Sequence, residues 1–144
     1  MKTLTNREYP RQPFPAVGAV IRDNDRILLV KRRYEPSQGK WSIPGGVVEL
    51  GETIRAAVKR EMEEEVSLQI EPENIVDVID NIVYDENGKV QYHYIITDFM
   101  ARPTGGVLKT NFEATEARWF KSFELIDLDM TNTTRRLLKK IRFF

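Results

Sequence analysis

The chain has 144 residues, of which 41% are hydrophobic and 31% charged, and its 22 basic and 22 acidic residues balance to a net charge of zero. This composition predicts one globular domain over residues 1–144 and excludes a disordered chain, while the zero net charge argues against a nucleic-acid binder. The absence of cysteine excludes disulfides and thiolate metal sites and suits a cytoplasmic location.

From the N-terminus onward, β-branched and aromatic residues predict five strands separated by turn-forming residues. The strands are expected at 14–21, 26–33, 73–85, 89–101 and 116–120, and the turns at 22–25, 86–88 and 103–106. Helices are expected at 53–67, with Thr53 as N-cap, and at 131–141, with a helical turn at 122–128. Because strands and helices interleave, we predict a single α/β domain with a mixed sheet.

The first predicted helix carries acidic side chains on both of its faces. When the segment is wound at about 3.6 residues per turn, its apolar residues form one stripe, made of Ile54, Ala57, Val58 and Met62. Glu63 lies on the opposite, solvated face. Glu61 and Glu65 instead lie along the apolar stripe, and Glu64 lies at its edge.

Glu61, Glu64 and Glu65 are neighbours on the helix surface, where like charges repel one another. A glutamate-rich exposed helix explains Glu63, but it does not explain two acids on the side that faces the core. A divalent cation explains all three acids together, because hard cations such as magnesium bind carboxylate oxygens. The pattern therefore predicts a metal site on this helix.

Two glycines, Gly45 and Gly46, precede the acidic helix. Glycine lets the main chain turn sharply and approach a ligand closely, so a main-chain carbonyl here can add another oxygen to the cation. A simple turn between a strand and a loop also explains the glycines, and the two interpretations are compatible.

From Gly46 the sequence reads glycine, five residues, Glu52, seven residues, and then REMEEEVSL at 60–68. This pattern resembles the Nudix box, Gly-x5-Glu-x7-Arg-Glu-U-x-Glu-Glu-x-Gly-U, in which U is a bulky aliphatic residue. Ser67 stands where the family usually has glycine, near the helix end where glycine eases a left-handed cap, and that position is not a metal ligand. The flanking segments KWSIPGG and EARWF also resemble this family.

The resemblance implies a Nudix-type α/β/α sandwich and the magnesium- or manganese-dependent hydrolysis of a nucleoside diphosphate linked to another group. The metal ligands that it implies are Glu61, Glu64 and Glu65, together with the carbonyl of Gly46. It further implies that Arg60 orients the box carboxylates and that Glu52 supports the loop and the helix.

A carboxylate is also expected to take the proton from the attacking water. The box offers Glu64 and Glu65 for this role. In parts of the family a glutamate in a later loop serves instead, and the candidates here are Glu113 and Glu116. A surface ion pair with Arg118 explains Glu116 equally well.

Arg32 and Arg33 end the second predicted strand, near the loop that leads to the box. The planar fork of an arginine suits a phosphate group. Because neighbouring residues of a strand point to opposite faces, we expect only one of the two to bind. Tyr34 is a candidate for stacking on a base or ribose, as are Phe112, Tyr84 and Tyr9, although packing is the simpler explanation for each.

These observations predict an enzyme that cleaves a nucleoside diphosphate derivative, and the flanks are most similar to the ADP-ribose pyrophosphatase-like branch of the family. Nucleoside triphosphates are an alternative substrate, because the same metal cradle suits any diphosphate bond. A catalytically silent Nudix domain that senses a nucleotide is the other alternative, but the retained box acids favour the enzyme.

The expected partner is a small nucleotide, with no nucleic acid and no membrane, and a homodimer is compatible with the sequence. No uncharged apolar stretch approaches the roughly 18 residues that a membrane-spanning helix needs. Residues 1–12 also lack the apolar region of a signal peptide.

Overall fold

A computed structural model describes residues 7–144; residues 1–6, the start of the segment discussed above for its lack of a signal peptide, lie outside the described part. Residues 7–144 form seven strands, two α-helices and one 3₁₀ helix. The strands are β1 (Phe14–Asp23), β2 (Arg26–Arg32), β3 (Trp41–Ser42), β4 (Gly45–Val47), β5 (Leu68–Tyr84), β6 (Val90–Gly106) and β7 (Ala114–Lys121). The helices are α1 (Ile54–Val66) and α2 (Asn132–Lys140), and the 3₁₀ helix covers Ser122–Leu125. In this described part, neither helix is long and apolar enough to cross a membrane.

The strands form the mixed sheet that the sequence predicts. β1 lies between β4, with which it is antiparallel, and β6, with which it is parallel, and β5 pairs antiparallel with the far side of β6. β2 pairs antiparallel with β3 and β7, and it joins β1 through a short hairpin around Asp23–Arg26. β1 therefore connects the two halves of the sheet.

Each face of the sheet is covered by one helix. Val17, Ala19 and Ile21 of β1 belong to the core on the α1 side, where the helix contributes Ala57, Val58, Met62 and Val66. Val20 belongs to the opposite core, together with Leu137 and Leu138 of α2. Successive residues of a strand point to opposite faces, so β1 serves both cores, and the predicted α/β/α sandwich is confirmed.

Helix α1 begins and ends as the sequence predicts. The side-chain oxygen of Thr53 accepts a hydrogen bond from the Ala56 N–H at 3.1 Å and so caps the first turn. Ser67 adopts the left-handed conformation with φ 60° and closes the helix without a glycine. Ile54 departs from the predicted apolar stripe, because it lies in the first turn with 37% of its surface exposed.

β5 and β6 are longer than the sequence predicts. β5 starts at Leu68, and its first residues pair with the end of β6 at Gly105 and Gly106. The turn predicted at 103–106 is therefore wrong, because these residues lie within β6. Proline and glycine are tolerated in a strand beside an irregularity of pairing, and one occurs opposite them between Gln69 and Ile70.

Candidate functional site

A cleft with a volume of about 760 Å³ opens on one face of the sheet. Its floor is formed by β1, β5 and β6, and its walls by β4, the end of α1, the loop 33–40 and the start of α2. Of the predicted metal ligands, Gly46 and Glu65 line this cleft, whereas Glu61 and Glu64 lie outside its lining. The acidic helix therefore reaches the cleft through its last turn.

Glu61 is completely buried, with an exposed fraction of 0%, as its place on the apolar stripe predicts. Its carboxylate lies directly against Gly46 of β4, and a Cβ added at position 46 would overlap that carboxylate. No other residue fits here while Glu61 keeps its position, so the glycine is required by a close approach and not only by a turn.

We expect Gly46→Ala to lower the free energy of unfolding by about 1 to 3 kcal/mol, because the added methyl group displaces a buried carboxylate. Urea denaturation of the two proteins measures this difference. Gly105→Ala is the matched control, since its Cβ would meet only the end of the Gln69 side chain at 2.7 Å. Equal stability of Gly46→Ala and the wild type would contradict the seating of Glu61 against β4.

Arg60 lies at the centre of a network of ion pairs with Glu52, Glu61 and Glu64. Its Nε and Nη2 donate to the two carboxylate oxygens of Glu52 at 2.7 and 2.8 Å. Its Nη1 donates to Glu61 at 2.9 Å and to Glu64 at 3.2 Å, and Nη2 also donates to the Val47 carbonyl at 3.1 Å. The guanidinium lowers the pKa of Glu52, and the hydrogen bonds to Glu52 raise the pKa of Arg60. Arg60 therefore fixes the helix, the preceding loop and β4 relative to one another.

Glu65 lies at the junction of α1 and the cleft, with only 6% of its surface exposed. The Gly45 N–H donates to its Oε1 at 3.2 Å, and its carboxyl group also shares a hydrogen bond with that of Glu113. Burial, followed by the charges of Glu113 and Glu61, raises the pKa of Glu65 well above its ordinary value. Negative charge is therefore crowded at this end of the cleft.

The loop that carries Glu113 is tied to the end of α1. The Lys109 N–H donates to the Val66 carbonyl at 3.0 Å, and the Asn111 N–H donates to the Glu65 carbonyl at 3.1 Å. The Asn111 side chain accepts from the Glu113 N–H at 2.8 Å, which sets the direction of the chain as it enters β7. These bonds bring a residue from a distant part of the sequence to the acidic helix.

The donor chemistry at this end of the cleft fits magnesium or manganese, because every candidate side-chain ligand is a carboxylate oxygen. Within residues 7–144, no three acidic or histidine side chains already converge as a chelate. Arg60 holds Glu61 and Glu64, while Gly45 holds Glu65. Small side-chain movements would thus be needed for binding, and the crowded charge around Glu65 is what a cation would offset.

The structure separates the two arginines of the predicted phosphate site. Arg32 and Tyr34 line the cleft, and Arg33 does not. The Arg32 Nε donates to the Pro36 carbonyl at 2.6 Å, which ties the arginine to the loop that forms one wall. Strand alternation predicts such a separation, so Arg32 remains the candidate for binding a phosphate.

The structure also separates the two candidate glutamates outside the helix. Glu113 lines the cleft, whereas Glu116 lies exposed on β7, opposite Lys31 of β2. The ion pair expected between Glu116 and Arg118 is replaced by one between Arg118 and Glu124 at 3.6 Å. Of these two glutamates, Glu113 alone lines the cleft.

Several polar and aromatic residues of the cleft are not among those expected from the sequence, including Ser42, Tyr92, Tyr94 and Asp98. Asp98 is 2% exposed, and burial together with the nearby charge of Asp77 raises its pKa to about 7. Its signal in the sequence is an acid inside the apolar run IITDFMA at 95–101. This is the same kind of signal that identifies Glu61.

Comparison with known proteins agrees with this geometry. The model of the family described as "NUDIX domain" matches residues 12–141. The chain is 37% identical over 108 residues to an ADP-ribose pyrophosphatase of Methanocaldococcus jannaschii. The aligned region covers 75% of this chain and 62% of that protein. The chain is also 34% identical over 111 residues to an 8-oxo-dGDP phosphatase of Homo sapiens, covering 74% of this chain and 32% of that protein. The chain therefore spans less than two thirds of the length of each relative.

Among solved structures, a MutT NUDIX hydrolase from Burkholderia pseudomallei matches with a TM-score of 0.78 at 30% identity. The match covers 91% of this chain and 99% of that one. The fold is thus shared with a solved NUDIX hydrolase.

Proposed function

Because the chain belongs to the Nudix family, we propose that it hydrolyses the diphosphate bond of a nucleoside diphosphate linked to another group, with ADP-ribose as the favoured substrate. The observation that carries this proposal is the buried Glu61–Gly46 contact beside Glu65 at the end of the cleft. An exposed helix does not explain a fully buried carboxylate that fits only because residue 46 is a glycine. A site that binds a cation beside a polyanion explains it.

The residues that would hold magnesium or manganese are Glu61, Glu64, Glu65 and the carbonyl of Gly46. When bound, the cation would neutralise the diphosphate and make a bound water more acidic. Arg60, held in place by Glu52, would keep α1 beside β4, and the carboxylates of Glu61 and Glu64 would shift from Arg60 to bind the cation. Arg32, at the other wall, would bind a phosphate oxygen.

We assign the proton acceptor to Glu113 in preference to Glu116, because Glu113 lies in the cleft beside Glu65. Glu64 and Glu65 are the alternatives within the helix. A general base must lie within reach of the attacking water, and Glu113 lies at the acidic end of the cleft whereas Glu116 is exposed on β7. Glu113→Gln is therefore expected to reduce turnover more than Glu116→Gln.

ADP-ribose is favoured because the M. jannaschii relative is an ADP-ribose pyrophosphatase. Nucleoside triphosphates are the main alternative, since Arg32 and Lys40 at the cleft supply positive charge that a terminal phosphate would also use. The test compares kcat/KM for ADP-ribose with that for ATP, GTP and their oxidised forms, with magnesium present. A clear preference for a triphosphate would overturn the ADP-ribose assignment, and no turnover of any of them would favour the nucleotide-sensing alternative.

We expect magnesium or manganese at millimolar concentration to raise the Tm, because a ligand that binds only the folded state stabilises it by mass action. Differential scanning calorimetry with each metal measures the shift. Glu61→Gln should lose most of it, whereas Glu63→Gln, on the exposed face of α1, should keep it. An unchanged Tm in the wild type would count strongly against the metal site.

A cytoplasmic location and a homodimer remain predictions from the sequence. The proposed reaction needs only a small nucleotide and a cation as ligands, and it is compatible with a cytoplasmic location and with a homodimer.

A further inference from the structure

Asp98 occupies an unusual place in the cleft. It lies in the middle of β6 with 2% of its surface exposed. Its pairing partner on the neighbouring strand β1 is Gly18, which has no side chain to cover it. A Cβ at position 18 would overlap Asp98 Oδ1. The neighbouring strand therefore leaves room for this carboxyl group where a larger residue would close the space.

Among residues 7–144, only two buried side-chain atoms have no hydrogen-bond partner, Ser42 Oγ and Asp98 Oδ1. Both residues line the cleft. Burying a carboxyl group without a partner costs stability, and buried polar groups in folded proteins are nearly always satisfied. Because both residues line one cleft, we take a molecule bound there as the partner that these atoms meet once small side-chain shifts expose them.

Asp98 and the acidic helix contact different strands of the sheet. Gly18 pairs with Asp98 on one side and with Gly45 on the other. Adjacent strands lie about 4.8 Å apart, so the main chain at Asp98 is about 10 Å from that at Gly45. Gly45 binds Glu65 at the proposed metal end, so β1 separates the strand that carries Asp98 from the strand that contacts the acidic helix.

The surroundings of Asp98 favour a nucleobase over a sugar or a phosphate. A phosphate has no hydrogen to donate and would repel a carboxylate. Ile79, Ile96 and Tyr94 line the same floor and offer flat apolar surface, as a planar base requires. The group that reaches Asp98 is therefore a hydrogen-bond donor on the edge of a base.

We infer that Asp98 accepts a hydrogen bond from the exocyclic amino group of a nucleobase and so selects adenine, guanine or cytosine nucleotides over analogues that lack that group. The inference deepens the proposed function and rests on it only in taking a nucleotide as the ligand. Asp98 is then a specificity residue, separate from the acids that would hold the metal.

Matched pairs of nucleotides that differ by one amino group test this directly. ADP is compared with purine riboside diphosphate, GDP with inosine diphosphate, and CDP with the 2-pyrimidinone analogue. Isothermal titration calorimetry on the wild-type protein should give, for at least one pair, a Kd about tenfold or more lower for the amino-bearing member, as expected for loss of one hydrogen bond to a buried carboxyl group. Equal affinities within every pair would overturn the inference.

Two substitutions separate recognition from structure. Asp98→Leu removes both oxygens while keeping the branching of the side chain, so it should abolish the preference within the pair. Asp98→Asn keeps an acceptor oxygen and should retain a preference for the amino-bearing member. Asp80→Leu, on the exposed side of the neighbouring strand β5, is the control and should leave the preference unchanged.

If Asp98→Leu kept the full preference, the amino group would be bound elsewhere and the inference would be wrong. Binding is measured without turnover, so failure of the proposed hydrolysis is a separate result. A protein that hydrolyses none of the tested substrates but discriminates within a pair through Asp98 would refute the enzyme and support this base site.

Discussion

Glu61→Gln is expected to lower kcat by about 100-fold or more, since a metal-binding carboxylate that stabilises transition-state charge contributes several kcal/mol to catalysis. The side chain keeps its shape, so the buried seat against Gly46 remains filled. In the absence of metal the variant should fold with a Tm close to that of the wild type, because the weaker contact with Arg60 offsets the relief of repulsion with Glu65. Steady-state kinetics with magnesium and thermal unfolding without it measure the two effects.

Glu63→Gln is the control for this prediction, because it makes the same chemical change two residues away on the exposed face of α1. Its kcat should stay within about twofold of the wild type, as surface substitutions away from a site usually have small effects. Comparable losses in Glu61→Gln and Glu63→Gln would show that the buried face of the helix is not the face that acts on the substrate.

Arg60→Ala is expected to destabilise the protein by about 2 to 4 kcal/mol, because removing one partner of a largely buried ionic network leaves its carboxylates uncompensated. It deletes the hydrogen bonds to Glu52, Glu61, Glu64 and the Val47 carbonyl at once. Activity should fall with it, since β4 and α1 lose one of the contacts that join them. Urea denaturation gives the stability, and kinetics on the folded fraction give the activity.

Arg55→Ala is the matched control on the same helix. Arg55 also donates two hydrogen bonds, but both go to main-chain carbonyls, those of Pro72 and Glu73. We expect a loss of about 1 kcal/mol, the net value of such bonds, and unchanged kcat. Equal effects of the two substitutions would mean that the carboxylates around Arg60 do not depend on it.

The acidic helix could be predicted from the sequence because its signal is local. A 3.6-residue period places Glu61 and Glu65 on the buried side, and a capping threonine marks the first turn at Thr53. The structure agrees on each of these points: Glu61 and Glu65 are buried, and Glu63 is exposed.

The remaining features depend on contacts between distant segments, and local patterns do not report them. The approach of Glu113 to Glu65 depends on hydrogen bonds between a loop and the end of α1. The burial of Asp98 depends on which residue of β1 lies beside it, and strand pairing of this kind follows from the register of the whole sheet. The pairing of β5 with the end of β6 likewise overrides the turn-forming character of residues 103–106.

The two main-chain bonds that join Lys109 and Asn111 to the last turn of α1 make the loop and the helix end one mechanical unit. Their carbonyl partners belong to Val66 and Glu65, so the loop cannot lift away without giving up protection of its own amide hydrogens. Slow exchange at the Lys109 and Asn111 amides thus accompanies a correctly positioned Glu113. A change in the position of Glu65 therefore alters the hydrogen bonds of the loop at 109–111. The exchange rates of the Lys109 and Asn111 amides thus measure how stably the acidic end of the cleft is formed.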